Sequence, residues 1–211
     1  MSNTNNFIFL DIDGVLNNDA SFINDNGKLI NDDCFIFFCK AIEEIKKVKD
    51  INIVITSTWR LGRSKEEFLN DIKSNLDFNK SKCEYYFNLF ASLLYNDDYS
   101  TPYCKVNRLD CIRGDEIILW KLKNKESLGL KDYKYIIIDD DSDFYKYQPL
   151  LLTDTSIGFT HMHYNILCHY FLNDREKHIK DTIKIFKSMR KKIFRNISFL
   201  NKTRKEKNNE S

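Results

Sequence analysis

Two clusters of aspartates could do chemistry, because each stands directly after an apolar run. Asp11 and Asp13 follow the run 7–10, and four further aspartates within 139–143 follow the run 135–138. Carboxylates that converge on one site repel one another unless a cation lies among them, and Mg²⁺ is a hard cation that prefers such oxygen ligands. Two carboxylates that are two positions apart can also take separate roles, one as a nucleophile and the other as a general acid.

Hydroxyl and cationic side chains occupy matching positions. Thr56 and Ser57 follow the β-branched run 51–55, and Arg113 stands beside Gly114, where the pattern predicts the start of a helix. Any one of these groups taken alone is more often a helix cap or a turn than a catalytic group. Together, the carboxylates, hydroxyls and arginine are expected to form a site that holds both a cation and a phosphate.

A parallel sheet would bring these groups together. Four apolar runs, 7–10, 51–55, 135–138 and 150–152, are predicted as buried strands, and amphipathic helical patterns separate them. This alternation predicts an α/β fold, an open parallel sheet with helices on both faces. Ligands of such sheets bind outside the carboxyl ends of the strands, which is where the acidic and hydroxyl residues would meet.

Capping residues predict where the helices begin. Asp32 and Asp33 are expected to cap the helix that follows them, and Ser64 forms a capping box with Glu67. An apolar-rich helix over 162–172 is expected to close the domain.

The predicted domain covers residues 1–172, and the stretch 62–110 is its least regular part. This stretch either forms a small cap over the site or packs beside it. A site without a full cap would admit the end of a polymer, whereas a capped site would favour small molecules. The sequence leaves both arrangements open.

A basic extension, 173–211, follows the predicted domain. Residues 174–211 carry thirteen Lys and Arg against five Asp and Glu, although the whole chain has a net charge of only +2. Apolar residues keep helical spacing from Ile179 to Leu200, which predicts a long amphipathic helix. Such a helix has either a solvated charged face or an anionic partner, of which nucleic acid is the most common.

Composition places the chain among globular proteins. Of its 211 residues 42% are apolar, and only two are proline and six glycine, which excludes collagen-like and low-complexity chains. No apolar run approaches the roughly 20 residues of a membrane span. The polar residues 1–6 do not resemble a signal peptide, so a cytoplasmic location is expected. The six cysteines are therefore expected to be reduced, with Cys104 and Cys111 the only local hint of a zinc site.

Taken in chain order, these motifs resemble those of the haloacid dehalogenase (HAD) superfamily. The matching motifs are Phe9-Leu10-Asp11-Ile12-Asp13-Gly14-Val15-Leu16, Ile53-Val54-Ile55-Thr56-Ser57, Arg113 and Ile137-Ile138-Asp139-Asp140. Within that superfamily the chain is similar to the HAD domain of multi-domain Swiss army knife RNA-repair proteins. The stretches that carry this similarity are Thr56-Ser57-Thr58-Trp59-Arg60, Arg113-Gly114-Asp115-Glu116-Ile117, Ile138 to Asp143, and Thr153-Asp154 with Gly158-Phe159-Thr160. The resemblance covers residues 5–172 and implies a Rossmannoid sheet with a small cap or none.

The resemblance implies a role for each matching residue. Asp11 would attack phosphorus to form an aspartyl-phosphate, and Asp13 would protonate the leaving oxygen and then activate water. Thr56, or Ser57 in its place, would hydrogen-bond the transferred phosphoryl group. Arg113 would offset the charge of the nucleophile and the phosphate.

A magnesium ion is implied as the cofactor. Its expected ligands are Asp11, the backbone carbonyl of Asp13, and either Asp139 or Asp140. The acidic run also leaves Asp143 as a candidate ligand.

The predicted function is Mg²⁺-dependent hydrolysis of a phosphomonoester. Gly14 and Arg60 are predicted as further substrate contacts, and Trp59 either lines the pocket or packs in the interior. A nucleic-acid end, such as a 3′-phosphate in RNA or DNA, is the favoured substrate because of the basic extension and the resemblance. The alternatives are a small-molecule phosphatase, acting on a nucleotide or sugar phosphate, and a non-catalytic HAD-like module that binds a partner through its last helix.

Overall fold

A four-stranded parallel sheet forms the centre of the fold. The structure is a computed structural model and describes residues 6–23, 28–79, 82–96, 98–106, 109–126, 128 and 133–173. Its strands are β1 (Asn6–Leu10), β2 (Ile51–Ile55), β3 (Lys105–Val106), β4 (Leu109–Asp110), β5 (Lys134–Asp139) and β6 (Leu150–Leu152). Its helices are α1 (Asp19–Ile23), α2 (Asp32–Lys46), α3 (Lys65–Ser74), α4 (Cys83–Leu93), α5 (Arg113–Lys123) and α6 (His161–Leu172).

The large sheet has the strand order β2-β1-β5-β6, and every pair in it is parallel. Strands β3 and β4 form a separate antiparallel hairpin. The predicted open parallel sheet is therefore confirmed, with all four apolar runs as its strands. Among the described residues, no helix is long and apolar enough to cross a membrane.

Helices cover both faces of the sheet, as predicted. On one face Phe7 and Phe9 of β1 pack in a cluster with Ile117 and Trp120 of α5. Side chains alternate along a strand, so the fully buried Ile8 points to the opposite face. There α2 contacts β2, α4 and α6.

The outer edge of β2 is covered by residues 94–96 and 98–101. The Tyr95 N–H donates to the Ile53 carbonyl at 2.9 Å, and the Ile55 N–H donates to the Tyr99 carbonyl at 2.7 Å. Helix α4, which precedes this segment, packs against α2 and β2. Within the stretch 62–110, the segment after α4 therefore extends the sheet, and α4 itself belongs to the helices that pack beside it. Covering the edge also satisfies backbone groups that would otherwise be open to pairing with another chain.

Two helix starts test the predicted caps. The capping box of Ser64 with Glu67 is present at the start of α3. The cap of α2 differs from the prediction: the Asn31 side chain accepts hydrogen bonds from the N–H groups of Asp33 and Cys34. Asp32 and Asp33 instead occupy the first turn of α2, where negative charge favours the helix dipole.

The prediction that all cysteines are reduced is wrong for one pair. Cys104 and Cys111 form a disulfide, with their Cα atoms 5.4 Å apart. The cause is the hairpin between them, which pairs Lys105 with Asp110 and so places the two flanking cysteines opposite each other. The other four cysteines are thiols outside this disulfide, and they are buried except for the half-buried Cys168.

The chain divides into two units after Leu172. The basic helix predicted within 173–211 lies outside the described residues, apart from Asn173.

Candidate active site at the carboxyl edge of the sheet

The strand register brings the predicted site residues into one row. Leu10 of β1 stands opposite Ile138 of β5 and Ile55 of β2. The next residue in each segment therefore lies at the carboxyl edge of the sheet, where open parallel sheets bind ligands. These three residues are Asp11, Asp139 and Thr56.

The guanidinium of Arg113 joins two of these side chains. Its Nη1 atom lies 2.7 Å from Asp11 Oδ2 and 2.8 Å from Asp139 Oδ2. The two carboxylates are only 1% and 0% exposed. Arg113 is the first residue of α5, so its backbone N–H has no partner within the helix. This N–H donates to Asp143 Oδ2 at 3.1 Å. The arginine therefore offsets the charge of two buried carboxylates from a fixed helix start.

Burial changes the protonation of this cluster. Burial and the nearby Asp11 raise the pKa of Asp139 to about 8, although Arg113 acts in the opposite direction. Burial also raises the pKa of Asp11, against the lowering effects of Arg113, the Ile12 N–H and the Ser57 hydroxyl. For Arg113, burial lowers the pKa, but the two carboxylates raise it by more, so the net shift is upward. One cation is thus shared by two acidic groups that repel each other.

The carboxylates fit a divalent cation. Carboxylate oxygens of Asp11, Asp139 and Asp140 lie within 4.8 Å of one another. Among the described residues, the buried Asp11 Oδ2 has no donor aligned for a hydrogen bond, although Arg113 contacts it. An all-oxygen donor set with excess negative charge is the kind that binds Mg²⁺.

Asp140 is held in place from two sides. Its Oδ2 accepts a hydrogen bond from the Thr155 hydroxyl at 2.8 Å. Its side chain also lies directly over Gly14, where an added Cβ atom would come within 2.3 Å of the Asp140 Cγ atom. Gly14 has a φ of +65°, which also favours glycine. The predicted role of Gly14 as a substrate contact remains a prediction, and its structural role is to make room for Asp140.

Asp143 lies elsewhere in the site. Of its two oxygens, Oδ2 accepts the Arg113 N–H, and Asp143 is not in the group of carboxylates that could share a cation. The geometry therefore favours Asp139 and Asp140 over Asp143 as ligands.

Asp13 is held by two donors. The indole N–H of Trp59 lies 3.1 Å from Asp13 Oδ1 and 3.2 Å from Oδ2. The side-chain amide of Asn17 donates to Oδ1 at 2.8 Å, while its oxygen accepts the Gly14 N–H at 2.7 Å. Asp13 is half-buried, unlike Asp11. The two carboxylates of the first motif thus have different surroundings, as separate chemical roles require.

The hydroxyl residues after β2 are buried. Thr56 is 1% exposed, and its hydroxyl has no hydrogen-bond partner among the described residues. Ser57 Oγ accepts the Trp59 N–H and caps a 3₁₀ turn, Thr58–Arg60. An unpartnered buried hydroxyl is costly, whereas the Ser57 hydroxyl already contacts Asp11, and this difference favours Thr56 over Ser57 as the phosphate contact.

Arg60 faces the interior of the protein. Its Nε donates to the Thr101 carbonyl at 2.8 Å, and its Nη1 donates to the carbonyls of Thr56 and Ser57. Its Nη2 forms a 2.6 Å ion pair with Glu116 on α5. Each of its guanidinium nitrogens therefore has a buried partner, which favours support of the Thr56–Ser57 turn over the predicted phosphate contact.

Sequence reasoning missed two residues that hold the site. Asn17 and Thr155 are ordinary turn residues in the sequence, and no spacing rule points from them to Asp13 or Asp140. Trp59 stands in the motif after β2, but the sequence leaves open whether its side chain lines the pocket or packs in the interior. Its contact with Asp13 places it at the site.

Comparison with known proteins identifies the family. Residues 7–164 match the family described as the HAD domain in Swiss Army Knife RNA repair proteins. No curated protein and no solved structure gives a significant match. The matched range contains every residue of the carboxyl-edge site and covers well over half of the chain. The chain therefore belongs to the HAD domain family of Swiss Army Knife RNA repair proteins, and this membership supports a phosphatase-type role.

Proposed function

We propose that this protein is a Mg²⁺-dependent phosphatase that hydrolyses phosphomonoesters through an aspartyl-phosphate on Asp11. The observation that carries the proposal is the sharing of Arg113 by Asp11 and Asp139. Thr56, which follows the neighbouring strand β2, adds a buried hydroxyl without a hydrogen-bond partner among the described residues. A buried carboxylate, a fixed cation and a free hydroxyl donor are what phosphoryl transfer requires.

In the first step, a carboxylate oxygen of Asp11 attacks the phosphorus of the substrate. The bond from phosphorus to the leaving oxygen breaks, and the proton of Asp13 moves to that oxygen. The Thr56 hydroxyl donates to an oxygen of the transferred group, and Arg113 offsets its charge. The products are the free alcohol and a phosphoryl group on Asp11.

In the second step, Asp13 acts as a base. It takes a proton from a water molecule, whose oxygen attacks the phosphorus. The bond between phosphorus and Asp11 breaks, which releases inorganic phosphate and restores both carboxyl groups to their starting state.

Asp11, Asp139 and Asp140, together with the backbone carbonyl of Asp13, would hold the magnesium ion. When bound, it supplies positive charge that stabilises the phosphoryl oxygens. The clustering of these three carboxylates supports this assignment, because Arg113 pairs with only Asp11 and Asp139 and leaves negative charge unbalanced.

We further propose that the substrate is a phosphorylated nucleic-acid end, such as a 3′-phosphate. The family description, which refers to RNA repair proteins, supports this substrate class. The excess of Lys and Arg in residues 174–211 also supports it, since cationic side chains bind the phosphate backbone.

The test is phosphate release from three substrates: a 3′-phosphorylated oligonucleotide, mononucleotides and a generic aryl phosphate. Each is assayed with Mg²⁺ or with EDTA. We expect release to require Mg²⁺ and to be fastest on the oligonucleotide. Asp11→Asn should lose at least about 10³-fold of the rate, because the nucleophile is gone. Asp141→Asn, an exposed aspartate of the same acidic run, is the matched control and should keep the activity.

Three outcomes would change the assignment. Faster turnover of mononucleotides would indicate a small-molecule phosphatase. Release that persists in Asp11→Asn would contradict the covalent mechanism. No release from any substrate would overturn the catalytic proposal and favour a HAD-like binding module.

A further inference from the structure

We propose that Trp59 is a positioning residue for Asp13, and that its indole N–H sets how efficiently Asp13 protonates the leaving group. This inference rests on the proposed phosphatase function and adds a residue that controls one part of it. It predicts that loss of the indole N–H lowers the rate of hydrolysis most for substrates with basic leaving groups.

The geometry supports a positioning role because the indole N–H reaches both carboxylate oxygens. Its distances to Oδ1 and Oδ2 of Asp13 are 3.1 and 3.2 Å, so the donor points between them. When either oxygen carries a proton, the other remains in reach of the indole. The contact can therefore hold Asp13 in both of the protonation states that the reaction requires.

The chemistry of indole suits this role. An indole N–H is a donor only and has no lone pair that could accept a proton. Trp59 can therefore fix the carboxyl group without taking the proton that Asp13 must give to the leaving oxygen. Asn17 contributes a second contact, since its side-chain amide donates to Oδ1 at 2.8 Å.

The backbone around Trp59 is itself fixed. Ser57 caps the 3₁₀ turn by accepting the Trp59 N–H, and the buried Arg60 binds the carbonyls of Thr56 and Ser57. The short segment 56–59 thus carries both the Thr56 hydroxyl and the Trp59 indole that holds Asp13. This shared support keeps Thr56 and Asp13 at a constant distance and orientation relative to each other. Efficient proton transfer requires such fixed positions.

The test compares leaving groups. Phenyl phosphate and p-nitrophenyl phosphate have similar shapes, but phenolate is the more basic leaving group and needs protonation more. General acid catalysis contributes typically 10²–10⁴-fold, and the contribution is greatest for basic leaving groups. The value of kcat/KM reports bond breaking to the leaving group, so it isolates this step from hydrolysis of the aspartyl-phosphate.

We expect Trp59→Phe, which keeps a ring but lacks the N–H, to lower kcat/KM for phenyl phosphate by at least about tenfold more than for p-nitrophenyl phosphate. Thr56→Val is the matched comparison, because it removes a contact to the transferred phosphoryl group and should slow both substrates by the same factor. In an Asp13→Asn background, Trp59→Phe should have no further effect on the ratio of the two rates.

A second measurement does not depend on mutating Trp59. The chain has two tryptophans, and the Trp120 indole N–H donates to the Asp98 carbonyl at 2.9 Å. In a ¹H–¹⁵N spectrum of Asp13→Ala, we expect one indole signal to shift strongly and the Trp120 signal to stay in place.

The outcomes separate the two proposals. If the wild-type enzyme releases phosphate and Trp59→Phe slows both aryl substrates equally, the positioning role is wrong and the phosphatase function stands. An unmoved pair of indole signals in Asp13→Ala would also overturn the positioning role. If the wild-type protein releases no phosphate from either substrate, the proposed function fails and this inference fails with it.

Discussion

Asp11 and Asp139 share a single nitrogen atom, Arg113 Nη1, at 2.7 and 2.8 Å. The two carboxylates come from neighbouring strands and are almost fully buried. Their common partner is the first residue of a helix that follows neither strand directly. The charge balance of the site therefore depends on how α5 docks at the carboxyl edge of the sheet.

Removing Arg113 should damage both stability and activity. Arg113→Met leaves two buried carboxylates without their cation, and losing one partner of a buried ion pair typically costs about 3–5 kcal/mol. We expect a fall of that size in the free energy of unfolding, measured with denaturant in EDTA, and loss of phosphate release. Lys47→Gln breaks an exposed ion pair with Glu44 and should leave the free energy of unfolding nearly unchanged. A similar cost for both variants would contradict the assigned role of Arg113.

Metal affinity should depend on Asp140 and not on Asp143. Binding of Mg²⁺ to the folded state raises its stability in proportion to the logarithm of the metal concentration over Kd. We expect Asp140→Asn to weaken Mg²⁺ binding about tenfold or more, measured by thermal unfolding across a Mg²⁺ titration. Asp143→Asn should keep a near-normal Mg²⁺ dependence, although it weakens the start of α5. The reverse order of effects would identify Asp143 as the ligand.

Gly14 should be required for the placement of Asp140. Gly14→Ala adds a methyl group 2.3 Å from the Asp140 Cγ atom, and it also places a side chain at a positive φ. Gly62→Ala isolates the second effect, because Gly62 has a φ of +71° with no atom within 4 Å of the new Cβ. We expect about 1–2 kcal/mol of destabilisation from the positive φ in both variants. Only Gly14→Ala should also lose Mg²⁺ affinity, and equal affinity in the two variants would contradict the contact with Asp140.

His163 should make stability depend on pH. It is 3% exposed, its Nδ1 accepts the Thr160 N–H at 3.0 Å, and burial lowers its pKa from 6.5 to about 4. The unfolded chain therefore binds the proton more readily than the folded one between these pH values. His163 thus contributes stability that is present above pH 6.5 and is lost as pH falls toward 4, by about 2 kcal/mol at pH 5.

The check is the free energy of unfolding between pH 7.5 and 5 for wild type and His163→Gln. The variant cannot titrate at this position, so its stability should fall less steeply as the solution is acidified. His161→Gln, which replaces an exposed histidine of the same helix, is the matched control. An unchanged slope in His163→Gln would show that the histidine is not held neutral by the fold.

The sequence alone determined the four strands of the parallel sheet and their order along the chain. Apolar runs predicted the four strands of the sheet, and the capping box of Ser64 and Glu67 fixed the start of α3. These features depend on neighbouring residues, so local patterns are sufficient. The convergence of Asp11, Thr56 and Asp139 could also be predicted, because the carboxyl ends of parallel strands must meet at one edge.

The sequence did not show which of several similar residues takes a given structural role. Asn31 and not Asp32 caps α2, since only Asn31 has the extended backbone of a cap. Asp140 joins the cation group and Asp143 binds a helix N–H, although both lie in one acidic run. Cys104 and Cys111 pair because a hairpin faces them toward each other. Each outcome depends on backbone direction, which residue types do not encode.

Contacts between distant parts of the chain were decided by tertiary structure alone. Trp59 reaches Asp13 across 46 residues, and Arg60 reaches Glu116 across 56. The adjacent Trp59 and Arg60 point to different partners, one to the half-buried carboxylate of the site and the other into the interior. Their types and spacing are compatible with either assignment. The turn after β2 and the docking of α5 against the sheet set these distances, and only the packed fold specifies them.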